Sequence, residues 1–120
     1  MKLEGVFDAY LAPRLQLATA RQWPLDVVVD TGFNGELVLP RKLIRRLRWP
    51  LKGQVRVELA DGSLVRTDVY EGRILWFGQE RVVAVYATAS KDGLLGTQML
   101  KGCTLFLDPD ENKVVLTRKP

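Results

Sequence analysis

Histidine is absent from all 120 residues, and cysteine occurs once, as Cys103. Without an imidazole, Ser-His-Asp and Cys-His nucleophile arrangements are excluded, as are the usual zinc sites, and no metal centre is expected. A lone cysteine makes no internal disulfide, so a reducing interior is the simpler setting and the expected location is cytoplasmic. Cys103 itself sits in an apolar segment and reads as an inert buried thiol. Long apolar runs are also missing, since no stretch approaches the roughly 20 residues that span a bilayer. The first residues, Met1 to Asp8, carry charges where a signal peptide has an apolar segment. No membrane partner is expected. Low-complexity linkers and internal repeats are lacking, which leaves residues 1–120 as one domain, large enough to bury a core without disulfide staples.

Basic residues are in modest excess, 18 against 14 acidic, for a net charge of +4, and several lie close together at Arg41, Lys42, Arg45, Arg46 and Arg48. Such a cluster raises nucleic acid or an acidic partner. It also fits the solvated side of an amphipathic helix, the commoner reason for such a run. No aromatic-rich strand accompanies the charges, and Trp23, Trp49 and Trp76 are scattered, as core or interface anchors are. Nucleic acid is therefore not the expected partner.

Period-2 alternation dominates what is there. Val6–Leu11 and Leu15–Thr19 read as an opening hairpin turning at Ala12-Pro13-Arg14. Leu25–Asp30 follows as a strand with Leu25, Val27 and Val29 on one face and Asp26, Val28 and Asp30 on the other. Leu37–Leu39 is a short strand. Pro40 then suits the first turn of a helix in which Leu43, Ile44 and Leu47 recur at helical spacing until Trp49-Pro50 ends it. Gln54–Ala60 and Leu64–Tyr70 flank the tight turn Asp61-Gly62. Arg73–Phe77 and Arg81–Ala87 flank Gly78-Gln79-Glu80 in the same way. Leu94-Leu95-Gly96 precedes a short helix, Thr97–Lys101, ended by Gly102. Thr104–Leu107 and Lys113–Thr117 bracket a last turn. The expected fold is mainly β, a closed or nearly closed barrel of hairpins with one or two short helices.

Asp30-Thr31-Gly32 is the sharpest candidate for chemistry: a carboxylate where a strand ends, held by a tight turn. An Asx-stabilised turn at a strand end explains the triplet without catalysis, and Leu94-Leu95-Gly96 alone reads as a core strand with a turn glycine. Asp26 reads as a surface carboxylate at the strand entry. In order and spacing, strand-Asp30-Thr31-Gly32, helix, hairpin at Asp61-Gly62 and Leu94-Leu95-Gly96 resemble the single-domain retropepsin-like aspartic peptidases over about Leu25 to Leu107. The Asp-Thr-Gly-Phe of Asp30–Phe33 and the Ala60-Asp61-Gly62 further on are similar to a prokaryotic group of that clan.

The resemblance implies a retropepsin-like barrel, a homodimer with one Asp30 from each chain, and a peptide or protein substrate, without metal or organic cofactor. It implies that Asp30, Thr31 and Gly32 form the catalytic turn, with Thr31 bonding across the dimer axis. Leu59, Ala60, Asp61, Gly62, Ser63 and Leu64 would be the tip of a flap over substrate. Phe33, Asn34 and Gly35, together with Leu94, Leu95 and Gly96, would line or support the cleft. Gly96 would be required because a side chain there meets a neighbouring backbone. Phe33 stands where a small Ala or Ser is usual, and the flap tip lacks the glycine-rich run of viral enzymes, changes that bear on cleft width and activity. Two other readings stand beside a dimeric aspartic endopeptidase: an inactive interaction or dimerisation module of the same fold, and a basic β-barrel that binds nucleic acid.

Overall fold

The alternation resolves, in a computed structural model describing residues 1–120, into ten strands and two short helices. Strand accounts for 57% of the chain and helix for 9%, so the mainly β reading holds. The strands are β1 (Lys2–Phe7), β2 (Pro13–Thr19), β3 (Pro24–Val29), β4 (Leu37–Pro40), β5 (Leu51–Glu58), β6 (Leu64–Trp76), β7 (Gln79–Thr88), β8 (Gly93–Leu95), β9 (Cys103–Asp108) and β10 (Lys113–Arg118). The helices are α1 (Arg41–Leu47) and α2 (Thr97–Leu100). No helix is long and apolar enough to cross a membrane.

Six strands close on themselves. β6 pairs β7, β7 pairs β4, β4 pairs β8, β8 pairs β3, β3 pairs β2, and β2 returns to β6 through Ala18 opposite Leu75 and Thr19 opposite Ile74. Inward-facing residues of this ring form one core, which includes Leu15, Leu25, Val27, Leu37, Leu39, Ile74, Val83, Val85 and Leu95. Full burial of each such aliphatic side chain stabilises by about 1.5–3 kcal/mol. Ile44 is the residue of α1 that reaches this core, with Leu43 and Leu47 half-buried beside it. Pro40 is the helix N-cap residue, and the helix stops at Arg48, whose φ of 56° is left-handed.

The opening hairpin differs from expectation. Its turn is Asp8–Ala12, with Asp8 Oδ1 accepting the N–H groups of Tyr10 and Ala12 at 2.8 and 3.0 Å, and Pro13 already begins β2. β1 starts at Lys2, pairs with β10 through Lys2–Gly5 and meets β2 only at Val6 and Phe7. Gly5 hides this strand from an apolar pattern, yet it permits the crossing, because a Cβ there would land on the carbonyl oxygen of Arg14.

β6 runs unbroken through Glu71-Gly72, where the sequence suggested two strands. A Cβ on Gly72 would lie 2.8 Å from Val85 Cγ2 and 2.9 Å from the Trp49 ring, so this glycine makes room for the indole. Phe77 belongs to the following turn, with φ of 51° beside Gly78 at 80°, the two positive values of a type I′ hairpin. Beyond Val69, β6 pairs only with β5, leaving residues 51–68 as a two-stranded arm exposed on both faces. At the other end of the sheet, β10 lies between β1 and β9, so the C-terminal strand pairs back on Cys103–Asp108 of its own chain.

Candidate active site

Asp30 sits at the mouth of the parallel pair β3–β8. Its N–H donates to the Leu95 carbonyl at 2.9 Å, which extends the β3–β8 ladder by one bond and fixes where the strand ends. Its Oδ1 accepts the Gly32 N–H at 2.9 Å, and its carbonyl accepts the Phe33 N–H at 3.2 Å, so the triplet folds as a turn around its own carboxylate. Oδ2 has no hydrogen-bond partner within the chain. Thr31, Gly32 and Asn34 are exposed, whereas Asp30 is half-buried.

The turn is bolted to the segment after β8. Gly96 donates its N–H to the Glu36 carbonyl at 2.9 Å, and Gln98 donates to the Gly35 carbonyl at 3.2 Å. The Phe33 carbonyl accepts both the N–H and the hydroxyl of Thr97, at 2.8 and 3.2 Å. The contact is close enough that a Cβ on Gly96 would fall on the Gly35 carbonyl oxygen and lie 2.5 Å from Phe33 Cδ2. The expected steric need for Gly96 is therefore met by backbone and by a ring together.

Phe33 is half-buried with its ring edge-on to Tyr86, centroids 5.7 Å apart at 71°. The same ring covers Gly35, where an added Cβ would lie 2.8 Å from Phe33 Cε1 and 3.0 Å from Tyr86 Cε2. The bulky residue after the triplet thus packs down on two glycines and a β7 tyrosine.

Glu36, absent from the sequence-derived site, ties this loop to β7. Its Oε2 accepts from Arg81 at 2.9 Å and its Oε1 from the Ala84 N–H at 2.8 Å. Nothing local marks this residue, because both partners come from a distant strand. Thr97 was also missed, although a hydroxyl residue directly after Gly96 was a readable hint.

Of the residues expected to line the cleft, Leu94 is half-buried, while Leu95 and Gly96 are buried and present no side chain to solvent in a single chain. Leu59, Ala60, Asp61, Gly62, Ser63 and Leu64 lie together, exposed, at the tip of the β5–β6 arm. Only Gly62 has positive φ there, 84°, and Leu59 exchanges a hydrogen bond with each of Gly62 and Ser63, so the tip is a three-residue turn rather than a two-residue one. The Asp61 carboxylate accepts the Ser63 hydroxyl and N–H at 2.6 and 2.9 Å, which hold it below its ordinary value. None of these tip hydrogen bonds reaches the Asp30 turn.

No protein-family model and no curated protein matches the sequence. Solved structures do match. A retropepsin-like aspartic protease from Rickettsia conorii is similar with a TM-score of 0.75 over 98% of this chain and 91% of its own, at 14% identity. The EIAV protease, solved with the inhibitor HBY-793, is similar at 0.65 over 86% of this chain and 100% of its own, at 20% identity. A foamy viral protease-reverse transcriptase, solved with an RNA/DNA hybrid, is similar at 0.57 over 73% of this chain, which spans only 11% of that protein, at 12% identity. At such identities the likeness is one of architecture: this chain has the retropepsin-like aspartic protease fold.

Proposed function

We propose that residues 1–120 act as one domain and that two copies form an aspartic endopeptidase, each contributing Asp30. The observation that carries this reading is the Asp30 turn itself. One carboxylate oxygen is engaged by Gly32 and the other is unpartnered, at the end of a strand anchored to Leu95 and before a loop that Gly96 bonds at Glu36. A single carboxylate is half of a two-carboxylate site, which a two-fold axis completes. Two carboxylates about 3 Å apart do not both ionise readily, so they share one proton.

The ionised member takes a proton from water as the water oxygen bonds to the scissile carbonyl carbon. The protonated member hydrogen-bonds the carbonyl oxygen. Collapse of the tetrahedral species then breaks the C–N bond, and a dyad proton passes to the departing amine. Thr31, exposed beside Asp30, holds the partner's turn in register. The β5–β6 arm closes over an extended peptide, with Leu59 and Leu64 offering apolar contacts. Leu95 and Gly96 serve by holding the turn, and Phe33 by bracing its loop. A reducing compartment suits the unpaired Cys103.

The test is hydrolysis of a diverse peptide mixture between pH 3 and 7, read by mass spectrometry, with Asp30→Asn in parallel. The unsubstituted protein is expected to cleave, and Asp30→Asn to lose about 10²–10⁴-fold in rate. Equal inertness of the two would favour the interaction module, and equal activity would remove Asp30 from the chemistry.

A further inference from the structure

At the opposite end of β3 from Asp30 lies a second, chemically different groove. Trp23 precedes β3 and Asp30 follows it, so the two are separated by about 20 Å of extended chain. The groove, about 570 Å³ in volume, is lined by Arg21, Trp23, Arg46, Arg48, Trp49 and Arg73, with Glu80 as its one acidic side chain. Arg73 lies 3.8 Å from both Glu80 and Glu71, which neutralise it. Arg21, Arg46 and Arg48 form no ion pair at all. Three guanidinium groups collected without counter-charge repel one another, an arrangement that an anionic ligand relieves.

The groove is also built to present its groups. Thr19, the one buried polar residue of the chain, accepts the Trp23 N–H on its hydroxyl at 3.0 Å and the Gln22 N–H on its carbonyl at 2.7 Å. It donates its own N–H to the Trp23 carbonyl at 2.8 Å, so the backbone of the Thr19–Trp23 loop is cross-braced. Arg46 lies over that indole at 5.9 Å, yet Trp23 remains 44% exposed. Arg48 occupies the left-handed position at the end of α1, where glycine is the usual residue.

We propose that this groove binds single-stranded nucleic acid, with phosphates on Arg21, Arg46 and Arg48 and a base against Trp23. Guanidinium forks engage phosphate oxygens in pairs, and an exposed indole supplies the sequence-tolerant stacking that single strands use. An acidic peptide would satisfy the arginines and leave the indole without a role. A duplex is not favoured, because α1 has only seven residues and the slot is of nucleotide size. No aromatic-rich strand accompanies these charges in the sequence, where Trp49 alone adjoins them; the fold adds the distant Trp23.

The test is fluorescence anisotropy with a labelled oligouridylate of about a dozen nucleotides at about 50 and 200 mM salt. Binding is expected at the lower salt and weakening at the higher. Arg46→Ala with Arg48→Gly is expected to reduce affinity at least about tenfold and to flatten the salt dependence by about 0.7 per charge removed. Trp23→Ala is expected to reduce affinity at least about fivefold with the salt dependence unchanged. Arg21→Ala, in the exposed loop, repeats the charge test without touching the helix end. Asp30→Asn should bind as the unsubstituted chain does, which separates this outcome from the peptidase reading. Absence of binding at the lower salt, indifference to Trp23→Ala, or equally tight binding of an oligoglutamate of matched charge would each overturn the proposal.

Discussion

The ring of Phe33 fills space that a side chain on Gly96 would need, its Cδ2 lying 2.5 Å from where a Cβ would stand. Phe33 stands where a small residue is usual in the family the sequence resembles, a change expected to bear on cleft width. In the fold it is a brace between the Asp30 loop and the segment after β8, completed by Tyr86.

A double-mutant cycle follows from the two glycines under that ring. Gly35→Ala meets only side chains, those of Phe33 and Tyr86, whereas Gly96→Ala also meets the Gly35 carbonyl. Each substitution alone is expected to cost about 1–3 kcal/mol of stability. In a Phe33→Ala background, Gly35→Ala should cost little while Gly96→Ala stays costly, as urea unfolding would show. Equal relief of both would mean that the ring, not the backbone, enforces Gly96.

Glu36 is expected to matter more through an amide than through its charge. Glu36→Ala leaves the Ala84 N–H without its acceptor and should cost about 1–3 kcal/mol. Glu36→Gln keeps an oxygen for that N–H and loses the ion pair with Arg81, which is partly exposed, so its cost should be about 1 kcal/mol or less. Denaturant midpoints of the two variants decide the order.

Stability should fall in acid through Asp8. Its hydrogen bond from Arg14 at 2.7 Å, followed by that from the Ala12 N–H, holds its carboxyl below the ordinary value of 3.8. Arg14 also reaches Asp26 and Asp92, at 3.2 and 3.1 Å, and is held charged by Asp8 and Asp92. Because the folded-state value lies below the unfolded one, the contribution is complete above about pH 4 and fades as pH falls through the folded value. Thermal unfolding between about pH 5 and 2 should therefore be steeper in pH for the unsubstituted chain than for Asp8→Asn. Identical slopes would contradict this. The same experiment marks the pH below which inactivity in the proposed peptidase assay reports unfolding.

Strands with alternating burial were legible in the sequence, β2 and β3 above all, because each buries one face on its own account. Elements whose logic lies in a distant partner were not. Gly5 and Gly72 read as interruptions, yet each lets another segment pass close, the Arg14 backbone in one case and the Trp49 ring in the other. Asp30-Thr31-Gly32 was readable as a turn around a carboxylate. Glu36 was not, because its meaning comes from Arg81 and Ala84, and the joining of Trp23 to the arginines of α1 depends on a loop and a helix end that no local pattern connects.

The central claim is that each active site needs Asp30 from two chains, and mixing tests it most directly. Unsubstituted protein and Asp30→Asn, equilibrated at fixed total concentration, should give peptidase activity that follows the square of the unsubstituted fraction, about one quarter of full activity in an equal mixture. Activity proportional to that fraction, about one half in the same mixture, would show that one chain suffices and that Asp30 does not work as a pair.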